Sequence, residues 1–295
     1  AIVVGTARGE IRWRKQFPTM TERGFQPVFE ELSATIREAL SGFPGRIDAI
    51  SVSIGGPLNV LEGIVQSPPN LPGWNDIPLK RLLKEQFSLP VFVEHDGNAG
   101  ALAEFYFGSG KGCRNIIFLT MGTGFGAGLI LDGKLYRGTS DTAGEIGHIR
   151  IAEEGPFCYG KSGSMEGFGS GTGMAKLAHT MFPEKWSETV NILDVYSSLM
   201  NGSPEARQLF DRAGFYLGRG FAMIADLLNP ERIILGGLGM RIGDAFLPKA
   251  QEVFELEALP QTRQVCKIIP AQLGEHIGDI ASLCAALDQG ALLEK

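Results

Sequence analysis

An acidic side chain that could act as a general base stands in the sequence Glu94-His95-Asp96-Gly97-Asn98, directly after an apolar run. Phosphoryl transfer to a hydroxyl group needs little from a protein beyond charge neutralisation, alignment and one acceptor for the proton of the alcohol. Asp96 is our candidate for that acceptor. The alternative is that Asp96 or Asn98 only caps the helix that the apolar spacing of residues 101–107 predicts.

A glycine-rich stretch separates two apolar runs and reads Gly-Thr-Gly-Phe-Gly-Ala-Gly over residues 122–128. Consecutive backbone N–H groups without side-chain bulk can form a nest for anionic oxygen atoms. Gly122, Thr123 and Gly124 are therefore candidates for holding phosphate. The alternative is a hairpin whose glycines only provide positive φ angles.

A second group of polar side chains could bind hydroxyl groups of a ligand. Glu145 and His148 are three residues apart, which brings them to one side of the chain if the turn between them is helical. Gly144 and Gly147 favour a close approach of the ligand, and Glu166 could complete the ring of hydroxyl-binding groups. His148 could instead be a packing residue, and Glu166 could be a solvated surface carboxylate.

Apolar runs that end in glycine or acidic residues alternate with segments of helical spacing. The apolar runs lie at residues 47–54, 90–93, 116–121 and 232–235. The segments of helical spacing lie at residues 25–40, 203–228 and 278–293. This alternation predicts an α/β sheet with ligands at the carboxyl ends of its strands. The last of these strands ends in Gly236-Gly237, an edge against which an adenosine group could lie, although many strands end in two glycines. Because the alternation occurs twice, two similar halves are expected.

Composition excludes several classes of protein. The chain has 295 residues, enough for two domains, with 44% hydrophobic and 20% charged residues. No apolar stretch approaches the roughly 18 residues that a membrane span requires, so we expect no membrane segment. A net charge of −6 argues against a nucleic-acid partner, and the four widely spaced cysteines predict reduced thiols in the cytoplasm rather than a metal site.

Taken in order, the motifs resemble those of the ROK family of sugar kinases over nearly the whole chain. The motifs are Gly55-Gly56-Pro57, Asp96-Gly97-Asn98, Gly122-Thr123-Gly124, Ala143-Gly144-Glu145-Ile146-Gly147-His148, Glu166 and Gly236-Gly237. The resemblance implies an α/β fold of the actin-like ATPase (ribonuclease H-like) type, with two α/β domains and a cleft between them. The smaller domain would comprise residues 1–106 and 280–295, and the larger domain residues 107–279.

The resemblance also implies an enzyme that transfers the γ-phosphate of ATP, with Mg²⁺, to a hydroxyl group of a hexose or N-acetylhexosamine. Asp96 would be the general base. The sugar-binding residues would be Gly56, His95, Asp96, Glu145, His148 and Glu166. The residues that contact ATP would be Gly122, Thr123, Gly124, Gly236 and Gly237.

Two departures from the family pattern concern missing motifs. Residues 1–5 resemble the strand just after the family's opening Asp-x-Gly-Gly-Thr loop, and a kinase without that loop is expected to lose phosphate and Mg²⁺ positioning. The family's zinc loop, Cys-x-Cys-Gly-x-x-Gly-Cys, corresponds to Phe157, Tyr159 and Ser164 at its cysteine positions. We therefore expect no structural zinc and a loop held by aromatic packing.

A third departure concerns the sugar. His95 stands where sugar-binding members usually have Asn, and Leu58 stands where the family often has Gly. A neutral imidazole is larger than an amide and offers one donor and one acceptor, so the accepted sugar could differ from glucose.

Two other functions compete with the kinase. ROK repressors carry a DNA-binding helix-turn-helix ahead of a kinase-like body, so the chain could be a sugar-sensing domain. A polyphosphate-dependent kinase would predict a basic track beside the cleft, and the sequence has no Lys/Arg cluster that suggests one. For the enzyme we expect a homodimer, since dimers are the commonest assembly of soluble proteins.

Overall fold

The structure is a computed structural model and describes residues 1–68 and 70–290. Its strands are β1 (Ile2–Gly5), β2 (Ile11–Lys15), β3 (Ile50–Ile54), β4 (Leu58–Asn59), β5 (Ile64–Val65), β6 (Val91–His95), β7 (Ile116–Met121), β8 (Phe125–Leu131), β9 (Lys134–Leu135), β10 (Phe157–Cys158), β11 (Lys161–Ser162), β12 (Arg232–Gly237) and β13 (Lys267–Pro270). Its α-helices are α1 (Phe25–Gly42), α2 (Leu79–Phe87), α3 (Asp96–Phe107), α4 (Met165–Gly169), α5 (Gly171–Met181), α6 (Ile192–Met200), α7 (Pro204–Leu228), α8 (Leu238–Arg241), α9 (Gly243–Glu257), α10 (Pro260–Val265) and α11 (Ile277–Gln289).

The second half of the chain is built on a five-stranded sheet in the order β13-β12-β7-β8-β9. Strand β12 runs parallel to β7 and β13, whereas β8 runs antiparallel to β7. Successive residues of a strand point to opposite faces, and both faces of this sheet are buried. In β7, Ile117 and Leu119 join a core with α5, α7 and α9, whereas Ile116 and Phe118 join a second core with α3 and α11.

The first half of the chain forms a smaller core around the parallel pair β3 and β6. Helix α1 contributes Val28 and Ile36, with Leu32 and Leu40 partly buried beside them. Their spacing of four residues places all of them on one face of the helix. Helix α2 and the β4–β5 hairpin contribute to the same core, which holds β6 and therefore the start of α3 in place.

Helix α3 is placed close to the sheet by small residues. Gly128 of β8 faces the backbone of α3, and a Cβ at that position would lie 2.6 Å from the Cβ of Ala101 and 3.0 Å from the Cα of Asn98. Such distances are too short for real Cβ atoms, so only glycine permits this contact. The contact fixes the first turn of α3, and with it Asp96, over the middle of β8.

The predicted elements are present with small changes in their bounds. The helix predicted over residues 25–40 is α1, the one over residues 203–228 is α7, and the one over residues 278–293 is α11, of whose predicted range residues 291–293 lie outside the described part of the chain. The division into domains at residues 106/107 and 279/280 stays a prediction. Within the described residues, no helix is long and apolar enough to cross a membrane.

Candidate active site

The candidate base lies at the junction of β6 and α3. Asp96 is the first residue of α3, its side chain is 56% exposed, and its Oδ1 accepts a hydrogen bond of 2.7 Å from the N–H of Gly97. His95 caps the same helix: its Nδ1 accepts from Gly97 at 3.3 Å and lies 3.2 Å from Asp96 Oδ1. The side chain lies in the first turn of α3, at the positive end of the helix dipole. Asp96 therefore takes part in capping and also leaves its carboxylate accessible to solvent.

Gly55 and Gly56 lie beside this junction because β3 is the parallel neighbour of β6, with Ile54 opposite His95. A Cβ at Gly56 would lie 2.7 Å from Cδ2 of His95, and one at Gly55 would lie 3.8 Å from Oδ2 of Asp96. A side chain at position 56 would displace the imidazole. The predicted contact of Gly56 with the substrate thus requires a residue as small as glycine.

A small cavity joins His95 to Glu145. It has a volume of about 20 Å³, room for one water-sized group, and its polar lining is His95, Asn98, Asp141 and Glu145. Asn98 Oδ1 is buried and has no hydrogen-bond partner within the described residues. A hydroxyl group that entered this cavity could donate to it.

The segment that carries Glu145 and His148 is pressed against β8. Gly144 has a φ angle of +99°, and a Cβ at this position would overlap the carbonyl oxygen of Ala127. The Ala127 N–H in turn donates to the carbonyl of Gly144 at 2.9 Å. A short 3-10 turn, Ile146–His148, then brings His148 back toward Glu145. The helical turn predicted between the two residues is present.

Glu166, at the start of α4, lies within electrostatic range of both of these side chains. Its Oε2 accepts a hydrogen bond of 3.1 Å from the N–H of Phe125. The pKa of the Glu166 carboxyl is above its usual range, chiefly because the group is buried. The hydrogen bond from Phe125 lowers this pKa, the charge of Glu145 raises it, and His148 lowers it. Glu145, His148 and Glu166 are therefore near enough to interact electrostatically, and their joint role in binding hydroxyl groups stays a prediction.

The raised pKa of Glu166 leads to a pH prediction. We expect sugar affinity to weaken as pH falls, beginning at a higher pH than an ordinary carboxyl would cause, because burial raises the pKa of Glu166 and a protonated Glu166 accepts fewer hydrogen bonds. Unfolding would not explain this loss, since a group with a raised folded-state pKa favours the folded state more as pH falls through that value. Calorimetric titration should show a flatter acid limb for Glu166→Gln; identical pH profiles for both proteins would contradict the assignment.

The loop in the zinc-loop position is a hairpin of β10 and β11. Tyr159 and Gly160 form its turn with φ angles of +52° and +82°, and the Tyr159 ring packs edge-on against His148 at 5.7 Å. Phe157 and Tyr159 are both largely exposed, and of these two only Tyr159 makes an aromatic ring contact within the described residues, so the expected aromatic packing involves Tyr159 and not Phe157. Burial raises the pKa of the Cys158 thiol, which disfavours a thiolate ligand. Within the described residues, no three His, Cys, Asp or Glu side chains form a group able to hold a metal.

A larger cavity of about 760 Å³ lies between the 122–124 turn, α5, α8 and the segment before α6. Of the predicted ATP-contacting residues, Gly122, Thr123 and Gly237 line it. A Cβ at Gly236 would instead lie 2.6 Å from the Phe118 ring, and a Cβ at Gly124 would lie 3.2 Å from Glu166 Oε2. Sequence reasoning missed other polar residues that line the cavity: Thr172, Lys176, Glu188, Asn191 and Arg241.

The start of α5 holds the 122–124 turn. The Gly171 N–H donates to the Gly122 carbonyl at 2.8 Å, and the Ser170 hydroxyl caps the helix by accepting from the Gly173 N–H at 2.9 Å. The N-terminus of an eleven-residue helix thus points at a glycine turn that lines the large cavity. The helix dipole at such a place favours phosphate, while the N–H groups of Gly171 and Gly173 already donate within the protein.

Removing this cap should weaken both the fold and nucleotide binding. We expect Ser170→Ala to lower the free energy of unfolding by about 1 kcal/mol and to raise the KM for ATP several-fold. Ser203→Ala, which removes the cap of α7, is the matched control. Urea denaturation and steady-state kinetics should give similar stability losses but an altered ATP KM only for Ser170→Ala. Equal KM values for ATP in the two variants would mean that the start of α5 does not take part in nucleotide binding.

An ionic group lies behind the candidate base, and the sequence did not predict which of its side chains pair. Glu94 is fully buried, its Oε2 accepts from Arg137 Nε at 2.9 Å and Nη2 at 2.6 Å, and Arg137 Nη2 also contacts Asp288 at 3.1 Å. A carboxylate in an apolar strand indicates that a cation must lie nearby. The sequence does not reveal which cation, because Glu94 and Arg137 are 43 residues apart.

Comparison with known proteins gives the class. The sequence matches the ROK family over residues 1–287, and the chain therefore belongs to the ROK family. It is 33% identical to a glucokinase of Halalkalibacterium halodurans, over 98% of this chain and 92% of the glucokinase. It is 30% identical to a xylose repressor of Caldicellulosiruptor bescii, over 79% of this chain and 60% of the repressor, so it matches less than two thirds of that relative.

The fold is shared with solved structures. A ROK family glucokinase from Streptomyces griseus, crystallised with glucose and AMPPNP, superposes with a TM-score of 0.78 at 26% identity, over 96% of this chain and 93% of the glucokinase. The predicted α/β fold of the actin-like ATPase type is confirmed. The resemblance to the ROK family inferred from the motifs is also confirmed.

Proposed function

We propose that the protein is an ATP-dependent sugar kinase that phosphorylates a hydroxyl group of a hexose or N-acetylhexosamine, with Asp96 as the general base. One observation carries the proposal: the exposed Asp96 carboxylate lies 3.2 Å from the ring of His95, which lines a small polar cavity with Glu145, in a chain whose Gly122–Thr123 turn lines a second, much larger cavity. A polar cavity that can take one hydroxyl group beside a candidate base, together with a large phosphate-compatible cavity, suits the two substrates of a sugar kinase.

In this proposal the sugar lies against Gly56 and is held through its hydroxyl groups by His95, Glu145, His148 and Glu166. Asp96 accepts the proton of the attacking hydroxyl group as its oxygen forms a bond to the γ-phosphorus and the bond to the β-γ bridging oxygen breaks. Domain closure would exclude water, so that the sugar and not water is phosphorylated.

The nucleotide enters as its Mg²⁺ complex, and the ion is part of the substrate. The phosphates would lie at Gly122 and Thr123, with the adenosine group along Gly237, because Gly124 and Gly236 do not line the large cavity. The 760 Å³ cavity is large enough for a nucleotide, and the positive end of the α5 dipole suits the charge of its phosphates. In this position Mg²⁺ would neutralise charge on the phosphates.

A sugar-sensing domain of a transcriptional regulator is the second candidate. The similarity to a xylose repressor, 30% identical over 79% of this chain, favours it. Such a domain would bind the sugar without turnover. The exposed carboxylate of Asp96 and the glycine turn of the large cavity favour the enzyme.

Coupled ADP release from the full-length protein with Mg-ATP tests the proposal against glucose, mannose, fructose, allose, N-acetylglucosamine and N-acetylmannosamine. We expect a rate that depends on at least one of these sugars. Calorimetric binding of a sugar without ADP release would favour the sensor. The expected homodimer and cytoplasmic location are predictions that sedimentation and cell fractionation can check.

A further inference from the structure

Glu94 is an unusual carboxylate because it is fully buried and immediately precedes the His95-Asp96 pair. Its Oε1 accepts from the backbone N–H of His95 and from Nδ2 of Asn98, both at 3.0 Å. Glu94 therefore fixes both ends of the turn that carries Asp96. A buried carboxylate can keep this role only while a cation compensates its charge.

That cation is Arg137, whose side chain is 24% exposed. The guanidinium donates two hydrogen bonds to Glu94 Oε2 and a third, of 3.1 Å, to Asp288 of α11. A planar guanidinium held on two sides has little freedom to rotate, unlike an ammonium group. Arg137 therefore ties the turn of the candidate base to α11.

The backbone of Arg137 makes the connection to the sugar side of the site. Its carbonyl oxygen accepts a hydrogen bond of 3.0 Å from the N–H of Ala143, two residues before Glu145. One residue thus holds the turn of the candidate base through its side chain and the segment of the candidate sugar ligand through its backbone. The hydrogen bonds of the Arg137 side chain within the described residues go to Glu94 and Asp288 and not to Asp96 or Glu145, so any effect on Asp96 or Glu145 is indirect.

We propose that Arg137, through Glu94, is a positioning residue that sets the distance and direction between the Asp96 carboxylate and the sugar held by Glu145. The inference rests on the kinase function proposed above. Loss of the guanidinium leaves the Glu94 charge buried without compensation, so the 94–98 turn shifts or Glu94 becomes protonated. Either change misaligns Asp96 with the attacking hydroxyl group, and a misplacement of about 1 Å can cost about 100-fold in rate.

The first test compares Arg137→Gln with Arg114→Gln in the full-length protein. Arg114 is a matched control because its side chain is 74% exposed and, among the described residues, forms an ion pair only with the exposed Asp132. We expect Arg137→Gln to lower kcat by about 100-fold with an unchanged KM for ATP, and Arg114→Gln to leave both unchanged. Arg137→Lys, which keeps the positive charge but not the planar guanidinium with its paired N–H donors, should lower kcat less than Arg137→Gln does.

Two further measurements separate positioning from a general loss of structure. Millimolar guanidinium chloride, but not an equal concentration of sodium chloride, should raise kcat of Arg137→Ala and leave that of the wild type unchanged. If Arg137 acts through Glu94, the kcat of the double variant Glu94→Gln/Arg137→Gln should resemble that of the poorer single variant. Independent effects would multiply instead.

The outcomes are distinguishable. A wild-type protein that binds sugar but shows no sugar-dependent turnover overturns the kinase function, and this inference with it. A wild-type enzyme that turns over, together with a folded Arg137→Gln or Arg137→Lys whose kcat stays within about threefold of it, overturns the inference alone. The same holds if the double variant shows multiplied losses, or if guanidinium brings no rescue to a folded Arg137→Ala.

Discussion

Replacing Asp96 with Asn should lower kcat for sugar phosphorylation by about 1000-fold while sugar affinity changes by less than about tenfold. The amide has the shape of the carboxylate, and its oxygen can still accept from the Gly97 N–H. It cannot take up the proton of the attacking hydroxyl group, a step that occurs in the transition state and not on binding. Coupled ADP release gives kcat, and calorimetric titration gives the sugar affinity.

Asp244→Asn provides the control for Asp96→Asn. Asp244 is likewise an exposed acidic residue in the first turn of a helix, α9, so its replacement removes a comparable interaction with a helix dipole. We expect its kcat to match that of the wild type. If Asp96→Asn keeps kcat within about tenfold of the wild type, Asp96 is not the base, and the capping interpretation alone remains.

Gly144→Ala should lower kcat/KM for the sugar by about 100-fold. A Cβ at this position would overlap the carbonyl oxygen of Ala127, and the φ angle of +99° is also unfavourable for alanine. The 143–148 segment would therefore move away from β8 and carry Glu145 and His148 with it. Steady-state kinetics with the sugar and with ATP should place the loss in the sugar parameters.

Gly133→Ala is a close match for Gly144→Ala. Gly133, in the β8–β9 turn, has a φ angle of +76°, but no atom lies within 4 Å of where its Cβ would be. Both variants thus carry the cost of a positive φ angle, and only one carries the steric overlap. Urea denaturation should show both destabilised. Equal kcat/KM values for the two variants would mean that close packing on Ala127 does not position the sugar site.

The sequence predicts the candidate base and the hydroxyl-binding group because their signals are local. An apolar run followed by a capping residue places Asp96 at the start of a helix, and the structure has it there. The pair Glu145 and His148 is joined by a helical turn three residues long, which Gly144 before it and Gly147 within it allow to pack on β8. In each case the motif itself is local, although the strand against which the turn packs is not.

The nucleotide side could be predicted less completely, and the reason is geometric. Consecutive strand residues point to opposite faces, so Gly236 and Gly237 at the end of β12 cannot both line the same cavity. Gly237 lines it, and Gly236 lies on Phe118. The sequence shows that the strand ends in two glycines but does not show which face of the sheet the ligand uses.

Long-range pairing was beyond sequence reasoning. Arg137 meets Asp288 across 151 residues of sequence, and Glu94 could have been paired with any of the chain's basic side chains. Only packing of α11 against β6 and α3 brings Asp288 and Gln289 to the back of the candidate site. Single-sequence periodicity carries no information on such contacts, because it reports which face of an element is buried and not what buries it.

Phosphorus NMR of a reaction mixture that contains the full-length protein, Mg-ATP and the most active sugar of the panel tests the central claim most directly. The account predicts one sugar phosphate for each ADP formed, and neither product in excess of a blank when Asp96 is replaced by Asn. ADP formed together with inorganic phosphate and no sugar phosphate, or sugar binding without either product, would contradict it.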